Sequence, residues 1–259
     1  MKIRGYANRH RNGTTCKLLL LLATLQLPAG QVFATECVVL LHGLMRTDKS
    51  MQKLQRRLQD SDYIVANISY PSRKKPVEEL SVLAVEAGLK ACAGEKASPI
   101  NFVTHSLGGI LLRHYYSTHN PASVARVVML GPPNHGSEVV DELKNIPGFE
   151  MLNGPAGKQL GTDKDSIPAR LGPANFELGV IAGTRSVNPV LSSYLPNPDD
   201  GKVSLESARL EGMCAFLALP VTHPFMMKND TVIEEVRHFL STGKFSHAGA
   251  QSFECGKEG

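Results

Sequence analysis

No apolar run in the sequence reaches the roughly 18 residues that a spanning helix needs, which excludes a polytopic membrane protein. No internal repeat, low-complexity linker or collagen-like period interrupts the chain. Acidic residues are missing from the first 35 positions, where Lys2, Arg4, Arg9, Arg11 and Lys17 place five positive charges. The formal charge of +4 therefore belongs to the N-terminus, because the rest of the chain carries 23 basic against 24 acidic side chains, a net of −1. A nucleic-acid partner would call for a basic face on the folded part, and this balance supplies none. There is also no cluster of metal-ligand spacing, no glycine-rich phosphate loop and no dinucleotide fingerprint, so the sequence implies no metal and no cofactor.

What is present is enough for one large domain. With 259 residues, 42% of them hydrophobic and 20% charged, the chain can bury a sizeable core, and disorder is excluded. The basic N-terminal stretch runs into an apolar segment at 18–27, a break at Pro28 and Gly30, and small-residue spacing at Val32-Phe33-Ala34. That order predicts a signal peptide over 1–34, cleaved after Ala34, and an exported protein, periplasmic or secreted, whose domain spans 35–259. The basic stretch is long, which also fits a start later than Met1 or a segment retained as an anchor. Removing it discards Cys16 and leaves Cys37, Cys92, Cys214 and Cys255. Four cysteines allow three pairings, and behind an export signal disulfides are expected ahead of buried thiols. Cys37 opens the first strand and Cys92 ends a helix that should return to the same end of the sheet. Cys255 lies in a polar tail that would gain order from Cys214. The expected bridges are therefore Cys37 to Cys92 and Cys214 to Cys255.

Apolar strand-like runs recur at 37–41, 63–69, 100–104, 124–130, 178–182 and 215–219, with helical periods at 49–58, 77–92, 107–116 and 231–240. Strands alternating with helices predict a mostly parallel sheet covered on both faces, an α/β fold. The segment 134–175 is rich in glycine and proline and shows no strand pattern; a connection of that length predicts a cap or lid over a site.

Chemistry concentrates in Asn101-Phe102-Val103-Thr104-His105-Ser106-Leu107-Gly108-Gly109, a strand running into a serine, two glycines and a helix. This is the pattern of a nucleophile elbow, in which a tight strand-to-helix turn lifts the serine hydroxyl above the sheet edge. Thr104 stands where such elbows usually carry a first glycine. A serine that merely caps the following helix is the plainer alternative. Here the chain resembles the α/β-hydrolase family, and within it the bacterial secreted lipases and esterases. Val38-Val39-Leu40-Leu41-His42-Gly43-Leu44, with Thr47-Asp48-Lys49 behind it, resembles the strand and loop that build an oxyanion hole. Pro133-Asn134-His135-Gly136-Ser137-Glu138 resembles the family's Pro-His-x-Gly-Ser stretch with its histidine displaced by one position, and Pro198-Asp199-Asp200-Gly201-Lys202-Val203 resembles its acid loop.

The resemblance implies a serine hydrolase that cleaves carboxylic esters through an acyl-serine intermediate, with the order serine, acid, histidine. Ser106 is the expected nucleophile and His223, just beyond a late strand, the expected base. Asp200, which precedes Gly201 as the motif requires, is the favoured acid, with Asp199 the alternative as long as side-chain direction is unknown. The backbone N–H groups of Leu44 and Leu107 are the expected oxyanion donors. His42 and His105 read as structural, His238 and His247 as surface or tail residues, and His135 as structural or on the rim. Met45, Phe149, Met151, Leu152, Phe225 and Met226 are candidates for an acyl pocket, although most such residues are core. A small-molecule or lipid ester is the expected substrate, peripheral contact with membrane lipid is compatible with it, and the oligomeric state is open. Acyl transfer, thioester hydrolysis or amide hydrolysis could use the same residues, and a noncatalytic binding protein on this fold is the competing class.

Overall fold

Valine and leucine fill both faces of the run at Val38, Val39, Leu40 and Leu41, which suits a strand buried on both sides. In the computed structural model, which describes residues 1–2, 35–119 and 124–255, that run is the inner strand β1 (Cys37–Leu41). After it come α1 (Gln52–Gln59), β2 (Ile64–Ile68), α2 (Val77–Gly94), β3 (Ile100–His105), α3 (Leu107–Thr118) and β4 (Arg126–Leu130). The second half holds α4 (Glu138–Leu143), α5 (Phe149–Lys158), α6 (Ile167–Arg170), β5 (Glu177–Gly183), α7 (Pro189–Ser192), α8 (Leu205–Ala208), β6 (Ala215–Leu219), α9 (Asp230–Thr242) and β7 (Gln251–Ser252). The expected signal peptide lies, beyond its first two residues, outside the described residues. Among those residues no helix is long and apolar enough to cross a membrane.

The sheet has the order β2-β1-β3-β4-β5-β6-β7, and every neighbouring pair is parallel except β6 with β7. Side chains alternate between its faces. Val39, Leu41, Phe102, Val127, Met129 and Val180 point to the core under α2 and α3. Val38, Leu40, Val103, Val128, Leu130 and Ile181 point to the core under α1 and α9, which add Leu54, Leu58, Val232, Val236 and Phe239. Six of the seven strands coincide with the apolar runs in the sequence. The seventh, β7, is two exposed residues in the tail, too short to show a period.

Both expected disulfides form. Cys37 and Cys92 lie 5.8 Å apart at their Cα atoms and tie the start of β1 to the end of α2. Cys214 and Cys255 are 4.3 Å apart, and the Phe253 N–H donates to the Cys214 carbonyl at 2.8 Å beside them, so the tail is pinned along β6. Each such bridge contributes roughly 2 to 4 kcal/mol, mainly by restricting the unfolded chain.

Between β4 and β5 no strand forms among the described residues, as the sequence pattern indicated, but three short helices do. Their glycines and prolines hid them: α5 contains Gly154 at φ 71° and Pro155, a kink inside what the backbone bonds join. The ends of this segment are tied down by one buried side chain. The Arg113 guanidinium, on α3, donates to the Asn134 carbonyl at 2.8 Å and to the carbonyls of Leu171 and Gly172 at 2.9 and 3.0 Å. Burial pulls its pKa down to about 10, and the guanidinium remains charged at neutral pH.

Candidate active site

Parallel strands deliver their C-terminal ends to one edge of the sheet, and the chemistry-bearing residues stand there. β3 ends at His105, and Ser106 turns the chain into α3 at φ 52° and ψ −120°, a left-handed conformation that a side chain adopts only under constraint. The constraint is packing. A Cβ on Gly108 would lie 2.6 Å from the Leu41 carbonyl oxygen, so only glycine lets the first turn of α3 press against the end of β1. Thr104, in place of the usual glycine, is buried, and Gly109 leaves it room, since a Cβ there would come within 3.3 Å of the threonine hydroxyl.

The acid loop separates its two aspartates. Asp199 is occupied by the loop itself, accepting from Ser192 Oγ at 2.5 Å and from the Gly201 N–H at 2.7 Å. Asp200 accepts from the N–H groups of Lys202 and Val203 through Oδ1 at 3.0 and 2.9 Å, and from His223 Nδ1–H through Oδ2 at 2.7 Å. The His223 N–H also donates to the Asp200 carbonyl at 3.0 Å, which fixes the two backbones relative to each other. With Nδ1 donating to the carboxylate, Nε2 is the free nitrogen of His223. Of the paired aspartates, then, it is Asp200 that meets the histidine.

Two neighbours of this pair carry more than the sequence pattern suggests. Gly131, directly after β4, has φ 53°, and a Cβ there would approach Asp200 Oδ2 at 3.0 Å and His223 Nδ1 at 3.1 Å. A glycine at the end of a strand was the available signal. His105 contributes more than filler: its Nε2–H donates to the His223 carbonyl at 3.0 Å, and the two rings lie 4.8 Å apart. Since a carbonyl can only accept, the proton is on Nε2, and burial together with the His223 charge holds the His105 pKa well below its ordinary value. His105 is thus a neutral brace under the segment that carries His223. His42 is buried and stacked on Tyr70, donates through Nδ1 to the Gly43 carbonyl at 2.9 Å, and receives the Tyr70 hydroxyl at its own carbonyl.

Ser106, Asp200 and His223 all line one cavity of about 710 Å³, a volume typical of small-molecule sites. The Ser106 hydroxyl makes no hydrogen bond among the described residues. Leu44 lines the cavity and its N–H has no partner there either. Leu107 is fully buried as the first residue of α3, where an N–H precedes the helical ladder. The apolar wall comes mainly from the segment between β4 and β5: Val139, Val140, Leu143, Ile146, Phe149 and Leu152. Of the residues expected there, Met45, Phe149 and Leu152 do line the cavity. Met151 and Phe225 instead face solvent outside it, at 80% and 54% exposure, and Met226 is core. His135, His238 and His247 are exposed and away from the cavity. No group of histidine, cysteine, aspartate and glutamate suited to a metal occurs among the described residues.

A sequence model of the palmitoyl protein thioesterase family matches residues 37–176, from β1 to the residue before β5. Among curated proteins no match is found. Solved structures share the architecture at low identity. A lipase of Bacillus licheniformis in its mature form is 18% identical with a TM-score of 0.59, over 81% of this chain and 92% of that one. A gene product of Listeria innocua is 16% identical with a TM-score of 0.56, over 82% and 96%. An esterase of Pyrococcus furiosus is 15% identical with a TM-score of 0.55, over 80% and 82%. At such identities the likeness carries the fold, which is that of the α/β hydrolases.

Proposed function

The chain belongs to the palmitoyl protein thioesterase family, a family of hydrolases, and from that premise we propose that it cleaves carboxylic esters of apolar acids through an acyl-serine intermediate. The observation that carries this reading is the 2.7 Å bond between His223 Nδ1–H and Asp200, on the wall of a cavity that also exposes Ser106. Ser106 Oγ attacks the acyl carbon while His223 Nε2 takes its proton, and Asp200 stabilises the imidazolium. The N–H groups of Leu44 and Leu107 receive the oxyanion, each donor contributing roughly 2.7 to 4 kcal/mol. His223 returns the proton to the leaving group, then activates the water that frees the acid. The unbonded Ser106 hydroxyl agrees with this order of events, since catalytic hydrogen bonds commonly tighten only once substrate is seated. The family match supports extending this reading to thioesters beside oxygen esters, because the same intermediate forms from either.

Residues 1–34 are on this reading an export signal, consistent with two disulfides, which persist in oxidising compartments. Finding Thr35 as the first residue of the exported chain would support the cleavage site, and an intact N-terminus would refute it. The exposed Met45, Ile146 and Leu152 at the cavity suit a lipidic substrate and peripheral contact with membrane lipid.

A fluorophosphonate probe tests the mechanism. We predict labelling at Ser106 and loss of labelling and of nearly all ester and thioester turnover in Ser106→Ala. A residue of roughly 10³ to 10⁴-fold over water can survive from the oxyanion hole and binding. Full turnover in that variant, or failure of the parent to react, would return the chain to the class of noncatalytic binding proteins.

A further inference from the structure

The cavity carries charge of one sign that the reaction does not use. Its charged wall residues, apart from the histidines, are Arg46, Asp200 and Lys202. Asp200 is spent on His223 Nδ1–H and on the N–H groups of Lys202 and Val203. Neither the Arg46 guanidinium nor the Lys202 ammonium makes a hydrogen bond or an ion pair among the described residues. Other exposed cations, among them Lys49, Arg56 and Arg185, are likewise unpaired among the described residues, and what sets Arg46 and Lys202 apart is that both line the cavity. The cations partly enclosed by the fold, in contrast, are answered. Arg126 meets Glu177 at 3.0 Å, Lys144 meets Asp141 and Asp163 at 3.0 and 2.8 Å, and Arg113 meets backbone carbonyls. Arg46 and Lys202 are exposed and yet line the cavity, so both stand at its open side.

Their place in the chain puts them beside the chemistry. Arg46 is two residues past Leu44 on the loop after β1, and Lys202 is two residues past Asp200. Their charges act on the same small region: desolvation lowers the Lys202 pKa, Asp200 opposes that lowering and Arg46 adds to it, while Arg46 also bears on His105. The one carboxylate beside them, Asp200, is already shared among His223 and two N–H groups, so the two cations outnumber it and favour a further anion at the mouth. A guanidinium fork beside an ammonium suits a phosphoryl group, which accepts from both at once. The opposite wall is hydrocarbon from the cap. A ligand that satisfies the whole cavity is an amphiphile with its acyl chain against the cap and its anion at the mouth.

We propose that Arg46 and Lys202 form an anion subsite beside Ser106, and that the favoured substrates carry a phosphoryl group on the alcohol or thiol that is released. Release of that group rests on the hydrolase reading proposed above; binding of the anion does not. Acylated glycerol phosphates and acyl thioesters of phosphorylated thiols both present that chemistry.

Binding can be measured without turnover, in Ser106→Ala, with dodecyl phosphate and the neutral 1-dodecanoylglycerol below their micellar concentrations. Adding Arg46→Gln and Lys202→Gln should raise the Kd of dodecyl phosphate by about tenfold or more, the loss of one to two charge-assisted bonds at a partly solvated site. The Kd of 1-dodecanoylglycerol should move by less than about twofold, which also shows that the variant is folded. Equal weakening of both ligands, or no change in either, overturns the subsite whether or not Ser106 proves to be a nucleophile. In the Ser106 protein, kcat/KM ratios then separate the sources. One arm compares 1-dodecanoylglycerol 3-phosphate with 1-dodecanoylglycerol, the other dodecanoyl-coenzyme A with S-dodecanoyl-N-acetylcysteamine. The arm whose ratio falls in the double variant identifies the leaving group, and ratios unchanged in both arms overturn the proposal.

Discussion

On the floor of the cavity Asp200 is 1% exposed and accepts three hydrogen bonds, His223 is braced from below by His105, and Ser106 is locked in a left-handed turn by the approach of α3 to β1. On the segment between β4 and β5, part of which walls the same cavity, Ile146, Met151 and Leu152 are 52%, 80% and 53% exposed, and the helices around them are short and kinked. The floor is held by directional bonds and close backbone contacts, which tolerate little displacement. The segment between β4 and β5 is anchored at its two ends through Arg113 and again between them, where Arg73 donates to the Leu152 carbonyl at 3.3 Å and Gln159 Oε1 accepts from the Val77 N–H at 2.7 Å. Yet it leaves the side chains of Ile146 and Leu152 exposed beside the cavity. Tight fixing of Ser106, Asp200 and His223 and exposed hydrocarbon around them are therefore assigned to different parts of the chain.

The sharpest way to break that contrast is at the acid. We predict that Asp200→Asn lowers kcat by about 10⁴, as a residue that keeps the shape and loses the charge and the tautomer control does in comparable sites. Asp199→Asn should cost far less, because it touches Ser192 and Gly201 and not His223. Steady-state kinetics on folded proteins decides it, and the reverse ranking would transfer the role to Asp199.

The next effect lies at the anchor. Arg113→Met strands several buried carbonyls, and we predict a loss of about 3 kcal/mol of stability, read by denaturant unfolding. If cap and floor are separable, turnover of a long-chain ester should fall in this variant more than that of an acetate ester. An equal fall in both would mean that the cap is part of the floor's own scaffold.

The smallest effect tests the wall. Phe149→Ala and Leu152→Ala should shift the ratio of kcat/KM between long and short acyl esters by roughly fourfold for every acyl methylene that the truncated wall no longer covers, from about 0.8 kcal/mol per methylene. A flat ratio in folded variants would make these side chains part of the packing alone and move the acyl chain elsewhere in the cavity.

Much of the architecture was legible because its signals are local. Strands buried on both faces read as unbroken apolar runs, the Ser106 elbow is written in consecutive residues, and the disulfide pairing followed from which elements end near one another. What the pattern could not contain is direction and convergence. Asp199 and Asp200 are neighbours of identical chemistry, and which one reaches His223 depends on how a single loop bends around Ser192 and Gly201. The cap helices were hidden because glycine and proline at 154 and 155 speak against a helix locally, while packing against the rest of the fold outweighs that preference.

The sequence by itself determined the order of the six parallel strands and of the four longer helices α1, α2, α3 and α9, the strand-turn-helix that carries Ser106, and the alternation that sends side chains to two cores, because each is set by steric and solvation preferences over a few residues. Only the tertiary structure decided that Asp200 meets His223, that His105 braces it, that Arg113 ties both ends of the cap and that Arg46 and Lys202 face one cavity. Those pairings join residues from 21 to more than 150 positions apart. Distance in space between such residues is set by how the sheet stacks its strands and where its loops return, a property of the whole packed chain that no short stretch encodes.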